Sequence, residues 1–124
     1  PLCGFYREIS TSEMKRDFDI IRQLLLDIEQ SSELVSYSYK EDGEEIIYHL
    51  KLLDQAGFIR GSGDRDGYSV MRLTWEGHDF LDAIRSDTVW NRTKEKVSKT
   101  VGSASLEIIK AVAQGVSKSM LGLS

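Results

Sequence analysis

At 124 residues the chain fits one domain with a single core plus appendages, and its 40% hydrophobic and 29% charged content is that of an ordinary soluble globule. No apolar run approaches the roughly 20 residues that span a bilayer, and residues 1–13 lack the roughly 7–15 apolar residues of a secretory signal, so a cytoplasmic protein with no membrane partner is expected. The net charge of −4 argues against a general nucleic-acid binder, and the lone Cys3 excludes both an internal disulfide and a cysteine-rich zinc site.

Residues 1–13 show no periodicity and read as a flexible N-terminal extension, with the ordered fold expected to start near Ser12. Met14, Phe18, Ile21, Leu25 and Ile28 recur at spacings of three and four, with Ile20 and Leu24 widening the stripe, which predicts a helix capped by Ser12 or Thr11. Ser31 and Ser32 offer a stop, and Leu34 to Tyr39 alternates like a strand. Lys40 to Gly43 has turn chemistry. Glu44 and Glu45 suit the first turn of a second helix, whose buried face is predicted at Ile46, Leu50 and Leu53 and whose end falls at Gly57.

Phe58 to Arg60 begins a strand, Gly61 to Gly67 reads as an irregular hairpin tip, and Tyr68 to Leu73 as the return strand. Thr74 is suited to cap a further helix, in which Gly77 allows close backbone packing and Phe80, Leu81 and Ile84 are buried. Asp87 and Thr88 are expected to break or cap it. Ile21, Leu25, Leu50, Leu53, Leu73, Leu81 and Ile84 are the predicted core.

The remainder, residues 88–124, reads as a C-terminal helical extension to a domain at 14–87. Val89 to Thr100 is expected to form a solvated helix, and Gly102 and Ser103 punctuate the chain. Leu106, Ile109, Ala113, Val116 and Met120 then form the stripe of a packing helix, to be covered either by its own domain or by a second copy in a homodimer. Charge divides at the same place. Through residue 90 there are 10 Lys/Arg against 18 Asp/Glu, a net −8, and beyond it 6 against 2, a net +4.

At IIYHLKLLDQAGFI the chain resembles the recognition helix and following strand of arsenic-repressor-type winged-helix regulators. Over MKRDFDIIRQLLLDIE, YHLKLLDQAGFI and RLTWEGHDFLDAIRSDTVWNRTKEK it more closely resembles a family of small bacterial and phage proteins known only as a domain of unknown function. The resemblance implies an α+β, winged-helix-like fold of helix, short strand, helix, hairpin wing and helix. Between Gln30 and Glu44 there is room only for a turn and a short strand, so the helix that would support a recognition helix is expected to be missing. The groove-facing positions would be Gly43, Glu44, Glu45, Ile47 and Tyr48, and two carboxylates there would repel phosphates.

His49, His78 and Asp82 are the residues from which a metal site could be built, but His78 and Asp82 at i, i+4 serve equally well as a helix-stabilising pair. No phosphate loop, nucleophile elbow or paired-carboxylate signature is present, so neither catalytic residues nor a cofactor is expected. Trp75 and Trp90 are expected in the core. The expected function is therefore non-enzymatic: a module related to phage or mobile elements that acts through protein contacts, with the partner unidentified. The alternative is a DNA-binding transcriptional regulator using the wing and the basic C-terminal region. Contact residues under either reading are Glu44, Glu45, Tyr48, Lys51, Arg60, Arg65 and Arg72.

Overall fold

The backbone N–H groups of Asp19 and Ile20 donate to the carboxylate of Asp17, and this cap starts the first helix, α1 (Phe18–Gln30). The computed structural model describes residues 16–31, 33–100 and 105–122. The expected caps Ser12 and Thr11, residue Met14 and the N-terminal extension all lie outside the described residues. Along α1 the apolar stripe buries Ile21, Leu24, Leu25 and Ile28, while Phe18 and Ile20 are half-buried.

The order continues β1 (Val35–Ser38), α2 (Tyr39–Asp42), α3 (Glu44–Gln55), β2 (Ile59–Asp64), β3 (Gly67–Leu73), α4 (Trp75–Ile84), α5 (Asp87–Thr100) and α6 (Leu106–Met120). The fold is α+β. Its strands form one antiparallel sheet in the order β1-β3-β2. The chain divides into two compact units, one ending at Gly77 and the other beginning at His78, so the division falls inside α4.

Two predicted turns prove to be regular structure. Lys40 to Asp42 is part of α2, a single helical turn started by Ser38, whose hydroxyl accepts the N–H of Glu41. Gly43 separates it from α3 at φ +94°, a conformation that permits the abrupt change of direction between consecutive helices. Nor is Gly61 to Gly67 an irregular tip. β2 and β3 remain paired as far as Asp64↔Gly67, leaving only Arg65 and Asp66 in the turn, and the Asp64 carboxylate accepts the N–H groups of Asp66 and Gly67 at 2.8 and 2.9 Å.

The strand glycines have a packing role. Gly63 lies directly across from Tyr68, and Gly61 is diagonal to it on the same face. A Cβ at Gly61 would come within 2.8 Å of the Tyr68 ring and 2.2 Å of the Ser69 carbonyl oxygen. Their bare backbone makes room for Tyr68, which is buried over them.

The end of α3 is closed as predicted. Gly57, at φ +82°, donates to the Asp54 carbonyl and Phe58 to that of Leu53, the paired bonds of a Schellman ending. Thr74 then joins this turn to α4: its hydroxyl donates to the Gly57 carbonyl and accepts the N–H of Gly77, while its own N–H donates to Phe58. A Cβ on Gly77 would lie 2.1 Å from the Phe58 carbonyl oxygen, so the close packing expected of that glycine is present.

All seven predicted core residues are buried, five in the first unit and Leu81 and Ile84 in the second. In α3 Leu50 and Leu53 are buried as expected, but Ile47 and His49 take the place of Ile46 on that face. Ile46 is only half-buried, and the burial of Ile47 removes it from the positions expected to face the groove of DNA. In the second unit Ser86 starts α5, accepting the N–H of Val89 with its hydroxyl and that of Trp90 with its carbonyl, slightly before the expected break at Asp87 and Thr88. α5 is not simply solvated, because Val89, Trp90 and Thr93 are buried, and it packs along α6.

Candidate functional site

α3 is held by its buried side and presents its other side outward. On the buried side His49 is fully enclosed, with Nδ1 2.8 Å from the Glu45 carbonyl and Nε2 accepting the Asp17 N–H at 2.8 Å. Because a backbone N–H can only donate, Nε2 supplies a lone pair and the ring proton sits on Nδ1, bonded to Glu45. Both nitrogens are committed to structure. Asp54, near the end of the helix, accepts the Tyr68 hydroxyl at 2.5 Å. Burial, then the hydrogen bond and negative charge of Asp54, push the Tyr68 hydroxyl pKa well above its ordinary range.

On the outward side, a groove runs where α2 meets α3, lined by Tyr39, Glu44, Ile47, Tyr48, Lys51, Leu52 and Gln55. Lys51 donates to the Tyr39 hydroxyl at 3.1 Å and its ammonium lies 5.8 Å from the centre of that ring, which fixes the tyrosine as one wall. Tyr48 packs edge-on against His49, with ring centres 5.6 Å apart. Among carboxylates, Glu44 lines this aromatic groove, and Glu41, Asp42 and Glu45 are exposed on the same two helices. The four-residue α2 occupies the place where no helix was expected, and without Tyr39 the groove would lack a side.

Residues 15–104 match the family of hypothetical proteins designated DUF2513. The chain belongs to this family. It is also 39% identical to an uncharacterized protein of Haemophilus influenzae over 117 residues, covering 87% of this chain and 99% of the relative. No solved structure matches the chain significantly.

Of the predicted contact residues of this DUF2513 member, the structure gathers Glu44, Tyr48 and Lys51 at the groove, with Glu45 exposed beside them on the same helix. Arg60, Arg65 and Arg72 lie elsewhere, Arg60 and Arg72 on paired strands and Arg65 at the hairpin turn. Tyr39 and Leu52 were missed. Their signal was faint, because a tyrosine ending an alternating run reads as strand and Leu52 reads as one more apolar residue of a helix.

In the second unit Ile109, Ala113 and Val116 of the predicted dimer helix are buried in a single chain, Leu106 is half-buried and Met120 is exposed. Asp82 pairs with Arg85 at 2.8 Å, and His78 is exposed. Trp90 is in the core as expected, but Trp75 is not: it is 78% exposed. Among the described residues no helix is long and apolar enough to cross a membrane.

Proposed function

We propose that this protein is a non-enzymatic, winged-helix-like module that acts by docking a protein partner in the groove between α2 and α3. The observation that carries the reading is the composition of that groove, in which two tyrosines and Leu52 offer apolar contact while the two helices that form it carry Glu41, Asp42, Glu44, Glu45 and Asp54 against Lys40 and Lys51. Aromatic anchors with a polar rim suit a protein surface. The same carboxylates oppose a DNA backbone, whose affinity for proteins comes largely from neutralised phosphates. The winged-helix-like reading is supported by the element order from α1 to β3 and by the sheet order β1-β3-β2, with α3 in the place of a recognition helix.

A titration with duplex DNA tests this reading against transcriptional regulation. Native protein is expected to bind little duplex even at low salt. The double variant Glu44→Lys, Glu45→Lys shifts the local charge by about four units and is expected to gain nonspecific binding that weakens as salt rises, with a slope of about 0.9 per added phosphate contact. Strong, salt-dependent binding by the native protein would overturn the proposal in favour of the DNA-binding regulator.

A further inference from the structure

β3 carries a bulge that changes which way its arginine faces. Arg60 pairs with Arg72 but Gly61 pairs with Val70, so Met71 is the extra residue. With strict alternation Arg72 would share a face with the buried Tyr68 and Val70. The inserted residue instead brings Leu73 to the buried side, across from Ile59, and turns Arg72 outward, directly across from Arg60. Like charges in such cross-strand pairs repel one another.

Neither guanidinium makes an ion pair or hydrogen bond among the described residues, and both are exposed. The nearest carboxylate along β2 is Asp64, four residues and about 13 Å from Arg60 at strand spacing, and its oxygen is engaged by the turn amides. The same outer face bears a row of hydroxyls, Ser36, Ser69 and Ser62, in register across all three strands, with Ser36 and Ser69 3.2 Å apart. Met71, at the bulge, is 64% exposed, and Trp75 follows Arg72 by three residues.

We infer that this outer face is a second docking surface, separate from the α2–α3 groove, and that it takes an acidic segment of a partner protein. Carboxylates of the segment engage Arg60 and Arg72, and its apolar side chains cover Met71 and Trp75. Two facing arginines offer forked donors suited to carboxylates, and Trp, Met and Arg are the side chains most enriched where proteins meet. A nucleic acid could supply oxyanions too, but residues 16–77 hold 7 Lys/Arg against 13 Asp/Glu, a net −6 that opposes a long polyanion far more than a short peptide.

Trp75 provides the readout, since Trp90 is buried and Trp75 is not. Full-length protein is titrated with a nine-residue capped peptide of alternating Glu and Leu, following tryptophan emission. A saturable blue shift is expected. Arg60→Gln with Arg72→Gln should weaken binding about tenfold or more, Lys40→Gln on α2 should leave it unchanged, and raising salt from about 50 to about 300 mM should weaken it. The double glutamine variant should melt no lower than wild type, because it removes a repulsive pair, so lost binding cannot be ascribed to unfolding. The inference is overturned if millimolar peptide leaves the emission unchanged, if the double variant binds like wild type, or if a twelve-residue single-stranded oligonucleotide binds more tightly than the peptide through the same two arginines.

Discussion

The imidazole Nε2 of His49, on α3, accepts the backbone N–H of Asp17 at the start of α1, 32 residues earlier in the chain. The carboxylate of the same Asp17 caps α1, so one residue both starts that helix and ties it to α3. His49→Leu keeps much of the volume but removes the acceptor of the Asp17 N–H and the imidazole donor to the Glu45 carbonyl. A loss of about 1–3 kcal/mol is expected in urea denaturation, together with faster amide exchange in the first turn of α1. A stable variant with unchanged exchange would show that the bond contributes nothing.

Tyr68 should make the protein sensitive to alkali. Its hydroxyl pKa is raised by burial and by the bond and charge of Asp54, and that of Tyr37 is raised by burial and by the charges of Asp27 and Asp42. With folded pKa values above the unfolded value of 10.0, the unfolded chain gives up its protons first as pH rises. Their contribution is therefore complete below pH of about 10 and lost above it. Tyr68→Phe should flatten the alkaline fall in stability only in part, leaving the share of Tyr37. At neutral pH it should cost about 1.5–3 kcal/mol, the range for a hydrogen bond to a charged group.

Gly77→Ala places a methyl group against the carbonyl of Phe58, inside the clasp formed by Thr74, Gly57 and Phe58. Backbone cannot yield as a side-chain tip can. The expected loss is about 1–3 kcal/mol, despite alanine's better helix propensity. A rise in melting temperature would mean that the turn relaxes freely.

Leu50→Ala empties a fully buried site on α3 and should cost about 2–5 kcal/mol in a denaturation curve. In the second unit, Ala113→Glu forces a longer, charged side chain into a fully buried position on α6. It should lower stability by at least the about 1–3 kcal/mol of an over-packed site. An unaffected melting curve would place Ala113 at the surface.

The sequence by itself determined the features that depend on neighbouring residues. The α1 stripe repeats every three or four positions, Gly57 ends α3 through a left-handed backbone, and Thr74 caps α4 through the N–H three residues on. Each is encoded within a few residues of the chain. The tertiary structure decided what depends on residues far apart. Ile47 rather than Ile46 is buried because α3 is fixed by His49 to α1 and by Asp54 to β3. Gly61 and Gly63 belong to a strand because Tyr68 needs the room above them. Trp75 stays outside while Trp90 goes in, although both are tryptophans in helical segments. Arg72 faces Arg60 because one extra residue at Met71 reverses the alternation, and nothing local in the run YSVMRL distinguishes a bulged strand from a regular one. Only the pairing of β3 with its neighbours sets which of its residues has no partner.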